Sequence, residues 1–474
     1  MLRIYLDTNV FSNLKSNKTE IYQSLNKLLL EYKDNISVFF SQAHIRDKRN
    51  DTSDRKFEDF DFMESFVVDN YIAYDPIEKH SSHYLATPRQ VFNDDKDDSV
   101  KSVLNNLFDD LWKNNENDTP EVVRAKSNLK YCMEMFEIPI LFPNFEQLPP
   151  EQKELMGKML PINTESPNLL NWMEQLGNFN DEIFKDNQTY RSLRKMIDDG
   201  LNNGKYTAND GSDFNEAFKD SVFQKTFNDF VKDSLYHKDK TQIPYYDFYL
   251  QSYSLLDMFG ISKDKIDRGN GYGNMFSDGL HSYFARYCDI LVSSDKGLRK
   301  KSKTLYDLYD VGTKVLSVEE FVEELQILGK STEEDLKDFF KKLTSDYKNA
   351  ERIDITKTNT GYYCTLVIKN RYLNAFDEML ELVHDEKTYL FLLKKNTHWL
   401  SSYNYREEGM IVKKALQIFG GDSNNSGEFN FPKEIKEIEK NEWRGRYWDF
   451  GQIEISLEHN QKVKQFALVI VIPN

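Results

Sequence analysis

Cysteine is scarce in this chain of 474 residues, which contains only Cys132, Cys288 and Cys364. Because the three are odd in number and far apart, they argue against a disulfide framework and against a CxxC zinc site. Long hydrophobic runs are also missing. No stretch approaches about 18 uninterrupted apolar residues, which argues against a membrane span. The first residues lack the basic and apolar regions of a secretory signal, so we expect a cytoplasmic protein.

Positive charge is in the minority, with 62 Lys and Arg against 78 Asp and Glu and a net charge of −16. Beyond residue 330 the two signs nearly balance, so almost all of the excess acid lies in the first 330 residues. This balance argues against a protein that coats nucleic acid through bulk charge. The chain is rich in aromatic residues, with 33 Phe and 27 Tyr, which supply enough apolar surface for folded cores.

The order of the apolar segments predicts an α/β protein. Short buried strands are expected at 2–6 and 36–40, each followed by a helical pattern. Residues 75–241 then carry helical stretches between polar loops, among them 100–112, 121–137 and 151–160. Short strands return at 290–294 and 314–316, and longer strands follow after residue 360, the last two of which, at 452–458 and 465–472, suggest a hairpin.

The predicted fold is a parallel sheet flanked by helices and interrupted by a mostly helical insertion, with a C-terminal α+β domain. The predicted boundaries are 1–74 and 242–330 for the two halves of the sheet domain, 75–241 for the insertion and 331–474 for the C-terminal domain. About three domains agree with a length of 474 residues.

Four aspartates lie at or near the ends of predicted elements. Asp7 follows the first strand, and Asp47 lies one to two turns into the helix after the second strand. Asp278 is expected to open a helix at 277–287, and Asp295 follows the strand at 290–294. Sites assemble at the carboxyl ends of parallel strands, so we expect the four to converge at one sheet edge. Singly, Asp7 and Asp295 could be ordinary turn residues or helix N-caps.

Such a cluster has a specific chemistry. Carboxylates that lie close together repel one another and raise their own pKa values unless a cation is present. Oxygen ligands of this kind select a hard divalent ion, Mg²⁺ or Mn²⁺. We expect Thr8, Asn9 and Ser293 to orient the carboxylates by hydrogen bonds, and His281 to share a helix face with Asp278.

These motifs resemble those of the PIN-domain nucleases. That family has an Asp in D-x-N after the first strand, an acidic residue on a helix after the second, a D-x-x-H helix start and a strand followed by T/S-x-D. The matching segments are Asp7-Thr8-Asn9, Asp47, Asp278 to His281, and Ser293-Ser294-Asp295, within about 1–70 and 245–330. The resemblance implies a PIN-like fold and a metal-dependent phosphodiesterase that acts on RNA, with Mg²⁺ or Mn²⁺ at the four aspartates. The large insertion and the C-terminal domain depart from the compact family pattern.

Two aromatic or basic clusters accompany the aspartates. The cations Arg299, Lys300, Lys301 and Lys303 follow Asp295, where they are expected to hold backbone phosphates; the alternative is a solvated helix face. The segment 443–448 mixes Trp and Arg, which could stack bases. We favour its alternative interpretation, a strand with a core tryptophan.

The function predicted from these observations is a metal-dependent endoribonuclease. We hypothesise a regulated toxin or an anti-phage defence effector, because a free ribonuclease endangers its own cell. A regulatory protein partner is expected to bind through the insertion or the C-terminal domain. The alternatives are an inactive PIN-fold scaffold protein and a nuclease directed at DNA.

Overall fold

The structure is a computed structural model. It describes residues 1–49, 51–94, 118–139, 148–162, 164, 166–197, 214–221, 223–235, 240–260, 271–331, 333, 335–384, 386–394, 405–460 and 465–473. The helix predicted at 100–112 lies outside the described residues. The chain divides into two compact units. The sheet unit comprises Met1–Gln90 and His281–Asn474, and the helical unit comprises Val91–Leu280.

The first sheet of the sheet unit is mixed. Its strands are β1 (Leu2–Leu6), β2 (Ile36–Ser41), β3 (Asn70–Asp75), β4 (His80–Leu85), β5 (Ile290–Val292) and β6 (Lys314–Leu316). They are arranged in the order β4-β3-β2-β1-β5-β6. All neighbours are parallel except β3 and β4. Every residue of β1 and β2 is buried, as expected for central strands covered on both faces.

The helices connect these strands and continue along the whole chain. In chain order the described helices are α1 (Thr8–Ser16), α2 (Glu20–Glu31), α3 (Gln42–Arg49), α4 (Arg55–Val67), α5 (Pro88–Asp94), α6 (Pro120–Met135), α7 (Pro150–Met159), α8 (Leu169–Lys185), α9 (Asn187–Ile197), α10 (Phe214–Ala217), α11 (Phe227–Ser234), α12 (Tyr245–Met258), α13 (Tyr272–Ala285), α14 (Lys296–Leu308), α15 (Val318–Ser331), α16 (Leu336–Asn349), α17 (Tyr405–Phe419) and α18 (Phe431–Glu439). None of these described helices is long and apolar enough to cross a membrane.

Together with the strands of the mixed sheet, these helices confirm the predicted α/β class.

The hairpin formed by β3 and β4 is not predicted by the sequence, which places the helical insertion from residue 75 onward. Four of the six residues of β4 are His or Ser, so the strand lacks an apolar alternation. It is held as an edge strand by its antiparallel pairing with β3. A hydrogen bond of 3.0 Å between the hydroxyls of Ser81 and Tyr283 adds a side-chain contact.

The predicted start of the helix at Ser277 is wrong. Helix α13 begins at Tyr272, so Ser277 and Asp278 lie in its second turn and neither residue opens the helix. The apolar residues Met275 and Leu280 are both buried. Met275 lies before Ser277 and so extends the helical pattern upstream of it. Within the helical unit, Gly279 allows α13 to approach α12, since a Cβ there would lie 3.1 Å from the Tyr253 ring.

The helical unit has its own aromatic core. Phe218, Phe223, Phe230 and Phe259 lie with ring centroids 4.3 to 6.0 Å apart. The helices predicted at 121–137 and 151–160 are confirmed by α6 and α7. The described part of the insertion is therefore mostly helical, as expected.

A second, antiparallel sheet follows within the sheet unit. Its strands are β7 (Glu351–Lys357), β8 (Gly361–Val367), β9 (Glu378–His384), β10 (Lys387–Leu393), β11 (Arg446–Asp449), β12 (Glu454–Asn460) and β13 (Gln465–Pro473), in the order β11-β12-β13-β10-β9-β8-β7. Helices α16, α17 and α18 pack on one face of it. The predicted pairing of the last two strands is confirmed. The predicted boundaries at 242 and 331 stay predictions.

Buried ion pairs connect the two sheets at the amino ends of β1 and β5. Arg3 in β1 contacts Glu407 of α17 at 2.6 Å. Lys394, just after β10, contacts Glu407 at 2.9 Å and Asp289, just before β5, at 3.1 Å. Burial alone would raise the pKa of Glu407, but Arg3 and Lys394 hold it well below its usual range. Asp289 is therefore a structural residue in an ionic cluster.

Candidate functional site

The candidate site lies at the carboxyl ends of β1, β2 and β5. The chain runs from β1 to β2 on one side, whereas it runs from the neighbouring β5 to β6 on the other, so the connections after these two strands leave in opposite directions. Such a switch point in an open α/β sheet forms a crevice where ligands bind. Asp7, Ser41 and Ser293 end or directly follow the three strands.

Asp7 is almost completely buried, with 2 % of its surface exposed. It caps α1, because its Oδ1 accepts a hydrogen bond of 2.8 Å from the Val10 amide. Its Oδ2 accepts a hydrogen bond from the Ser293 hydroxyl. Burial raises the pKa of Asp7 and the nearby Asp47 raises it further, although Ser293 and His281 partly oppose this.

Asp47 lies in α3 and contacts Thr8, the residue that follows Asp7. The Thr8 hydroxyl donates to Asp47 Oδ2 at 2.5 Å, and His281 Nε2 lies 2.9 Å from the same oxygen. The Asp47 side chain is 25 % exposed, whereas His281 is buried. The structure therefore brings Asp7 and Asp47 together through Thr8 and His281, and leaves one of the carboxylates open to solvent.

His281 is held from behind by residues that sequence reasoning missed. The Tyr5 hydroxyl lies 2.9 Å from His281 Nδ1 and 2.6 Å from Ser41 Oγ. Tyr5 is completely buried, which raises its pKa well above the usual range, so it is a neutral phenol. Tyr5 and Asp7 are two residues apart and so share a strand face, which is the signal that could have found Tyr5.

His44 has a structural role beside this group. Its Nδ1 accepts a hydrogen bond of 3.1 Å from the Ser41 amide, so Nε2 carries the proton and donates to the Leu6 carbonyl at 2.7 Å. Burial and the nearby His281 lower the pKa of His44 to about 3. His44 is therefore a neutral residue that holds the end of β1 against α3.

Asp295 also caps a helix. Its Oδ1 accepts hydrogen bonds from the amides of Gly297 at 2.6 Å and Leu298 at 3.0 Å, at the start of α14. Its own amide donates to Ser293 Oγ at 2.9 Å. Ser293 therefore connects Asp7 to Asp295, and both aspartates have the ordinary capping role besides any other.

Asp278 belongs to the helical unit and is half-buried in α13. Asn9 is exposed in the first turn of α1. Their predicted roles stay predictions.

The donor set suits a hard cation in chemistry but is incomplete in geometry. Asp7 is a buried carboxylate, and within the described residues no lysine or arginine pairs with it. Among those residues no group of three or more His, Cys, Asp or Glu side chains is placed to hold a metal ion. Mg²⁺ commonly binds through one or two carboxylates plus water and substrate phosphate, so two carboxylates are sufficient in number for such an ion.

The predicted basic cluster divides into two pairs. Lys301 is buried, with 1 % of its surface exposed, and Arg299 donates to the Ser293 carbonyl at 2.8 Å. Lys300 and Lys303 are exposed on α14. Lys300 and Lys303 are therefore the two residues of this cluster that solvent reaches freely, whereas Arg299 supports the end of β5.

The Trp- and Arg-containing segment of β11 belongs to the core. Trp448 and Arg446 are each 2 % exposed, and Arg446 pairs with Glu434 at 2.9 Å. The Trp443 ring stacks on Phe466 with centroids 4.7 Å apart. These contacts support the core interpretation and oppose base stacking on this segment.

No family model, curated protein or solved structure matches the chain. The resemblance to PIN-domain nucleases therefore rests on the motifs quoted above.

Proposed function

We propose that the chain is a PIN-like, metal-dependent endoribonuclease with its active site at the carboxyl ends of β1, β2 and β5. The observation that carries the proposal is the group formed by Asp7 and Asp47 with Thr8, His281 and Ser293. Four separate segments of the chain contribute to it. The strand order around β1 supports the proposal, because ligands of open α/β sheets bind at such a switch point.

Asp7 and Asp47 would hold Mg²⁺ or Mn²⁺, with Asp278 and Asp295 as the further ligands that the motif implies. The cation would supply positive charge for activating water and for stabilising the leaving oxygen of a phosphodiester. It would also stabilise the buried charge of Asp7, whose pKa is raised by burial.

The neighbouring residues orient the two carboxylates. Ser293 and the Val10 amide each hold one oxygen of Asp7. Thr8 and His281 both contact Asp47 Oδ2. Tyr5 fixes the ring of His281 from the opposite nitrogen. Loss of such a supporting contact typically lowers metal affinity or activity by about 10- to 100-fold. In free energy this corresponds to about one or two hydrogen bonds.

The proposed substrate is RNA, bound through local contacts. The net charge of −16 opposes nucleic-acid binding over the whole surface, so Lys300 and Lys303 beside the site would supply the phosphate contacts. A cytoplasmic toxin or defence effector, restrained by a protein partner, remains our hypothesis for its role.

The proposal is tested by incubating wild type, Asp7→Asn and Asp295→Asn with labelled RNA and DNA, in Mn²⁺ and in EDTA. Wild type is expected to cleave RNA only with Mn²⁺, and Asp7→Asn to fall to background. The matched control is Asp307→Asn, an exposed aspartate on α14, which should cleave like wild type.

Equal cleavage by wild type and Asp7→Asn, or none by either, would contradict the catalytic proposal. Calorimetric titration with Mn²⁺ then separates the alternatives. Binding that Asp7→Asn abolishes, without cleavage, points to an inactive scaffold protein. Cleavage of DNA alone would overturn the choice of RNA.

A further inference from the structure

The second sheet carries apolar residues on both of its faces. In antiparallel strands, residues directly opposite each other point to the same face. The register therefore places two apolar rows on one face, Thr365-Leu380-Phe391-Val469 and Tyr363-Leu382-Tyr389-Val471. We call this surface the open face.

The open face lies opposite the helices. The other face of β8, β9, β10 and β13 forms the core with α16, α17 and α18. Within the described residues, none of the eight residues of the two rows belongs to that core. Tyr363 and the adjacent Val367 are 49 % and 50 % exposed, Val469 is buried with 6 % exposed, and the other six residues of the rows are half-buried. An antiparallel sheet with one face in water usually presents polar residues there, so this face departs from the usual pattern.

The size of the open face favours a single segment as its occupant. Four strands about 4.8 Å apart and about five residues of about 3.4 Å rise give roughly 300 Å². A stable protein interface covers about 800 Å² on each partner, so this patch is small for a second copy of the chain. A helix of about 13 residues is about 20 Å long and matches the patch.

The charges beside the open face favour a basic occupant. Asp449, Glu454 and Glu458 lie on the same face of β11 and β12, next to the apolar rows. Lys387 is the basic residue at the far end of β10. The acidic flank would repel nucleic acid and a symmetric copy of itself, and would attract lysine or arginine.

We propose that the open face binds an amphipathic helical segment of a protein partner, whose apolar stripe is flanked by lysine or arginine. Binding buries Tyr363, Tyr389 and Phe391 against the stripe and pairs the cations with Glu454 and Glu458. It converts a two-layer arrangement into helix, sheet and helix, which is a common way to cover both faces of a sheet. The proposal is independent of the nuclease proposal, because none of these residues lies in the candidate site.

The test uses a fluorescein-labelled 14-residue helix of Leu and Lys, with Leu on one face and Lys beside it, and a matched Leu/Glu peptide. Fluorescence anisotropy is measured with the full chain. We expect only the Leu/Lys peptide to bind to the wild-type chain. The same peptide should bind at least 10-fold more weakly to the variant Tyr363→Ser/Val367→Ser. The charge variant Glu454→Gln/Glu458→Gln should bind about 5-fold more weakly, as loss of two exposed charge pairs implies.

Matched controls separate this face from bulk effects. Leu30→Ser/Ile77→Ser removes two other exposed apolar residues, and Glu31→Gln/Glu78→Gln removes two other exposed acids. Both should bind the peptide like wild type, and thermal unfolding should show every variant folded. Equal weakening in the controls, equal binding of the Leu/Glu peptide, or no binding would overturn the proposal. So would a dimer in sedimentation that Tyr363→Ser/Val367→Ser breaks, since the occupant would then be a second copy.

Discussion

Glu407 and Glu408 are adjacent buried carboxyls in α17 with opposite environments. Glu407 contacts Arg3 and Lys394, which hold its pKa well below the usual range against the effect of burial. Burial and the charge of Glu407 raise the pKa of Glu408 well above it. Its neighbour His459, 3.8 Å away, has a pKa lowered to about 4 by burial. Burial therefore favours the neutral forms of both Glu408 and His459.

We expect Glu407→Gln to lower the free energy of unfolding by about 3–5 kcal/mol, because it leaves buried cations uncompensated. Glu408→Gln is the matched control and should be at least as stable as wild type at pH 7. Urea unfolding of both variants measures the difference. Equal losses would contradict the assigned charge states.

The same pair has a signed dependence on pH. The folded-state pKa of Glu407 is lowered, so its contribution is present above its ordinary pKa of 4.5 and is lost as the pH falls below that value. Glu407→Gln should therefore show less acid destabilisation than wild type. The pKa of Glu408 is raised, so its ionisation costs stability as the pH rises from 4.5. Glu408→Gln should remove that cost.

At the scale of elements, two helices begin at aspartates of the candidate site. Asp7 caps α1 and Asp295 caps α14. Asparagine caps a helix about as well as aspartate but carries no charge. Substitution by Asn and by Ala can therefore separate capping from chemistry.

Asp295→Ala should lower the free energy of unfolding by about 1 kcal/mol through loss of the cap, whereas Asp295→Asn should be nearly neutral. Both should lose RNA cleavage if the carboxylate binds the cation. Denaturant unfolding and the cleavage assay measure the two effects.

Asp335 is the matched control, because it caps α16 by accepting from the Asp338 amide at 2.8 Å. Asp335→Ala should be destabilised to a similar degree and should cleave normally. Unchanged cleavage by Asp295→Asn would assign Asp295 to capping alone.

At the scale of the whole molecule, the two sheets of the sheet unit share a buried ionic cluster. Arg3 precedes Asp7 in β1, and Asp289 precedes Ser293 around β5, so the cluster holds the amino ends of the strands that carry the site. Arg406 adds a contact of 2.6 Å to Asp69, before β3. The second sheet therefore stabilises the strands beneath the candidate site.

We expect β1 and β5 to open together with β10 and β13, because the ionic cluster connects them. Hydrogen exchange in increasing urea should show peptides from these four strands reaching the same free energy of opening. In the variant Glu407→Gln, the strands of the two sheets should reach different free energies of opening. Opening of β10 and β13 well before β1 in wild type would contradict the coupling.

Part of the fold and site was predictable because it depends on local sequence. The apolar runs at β1, β2 and β13 predict strands, and Asp7 and Asp295 follow strands in the printed sequence. Strand β4 and the start of α13 were not predictable, because the first is polar and the second lies in a glycine-containing segment that local propensity assigns to a loop. The contact of Tyr5 with His281 joins residues 276 positions apart, which no local pattern encodes.

The sequence by itself determined the α/β class, the central strands and which carboxylates stand at their ends, because periodicity and strand ends are local properties. Only the tertiary structure decided that Ser293, Thr8 and His281 orient those carboxylates, that Lys301 is buried, and that Glu407 is charged while Glu408 is neutral. These outcomes depend on burial and on partners that are distant in the chain. The sequence shows only that positive charge is scarce. The structure shows that some of the cations lie between the two sheets, where they balance buried acids.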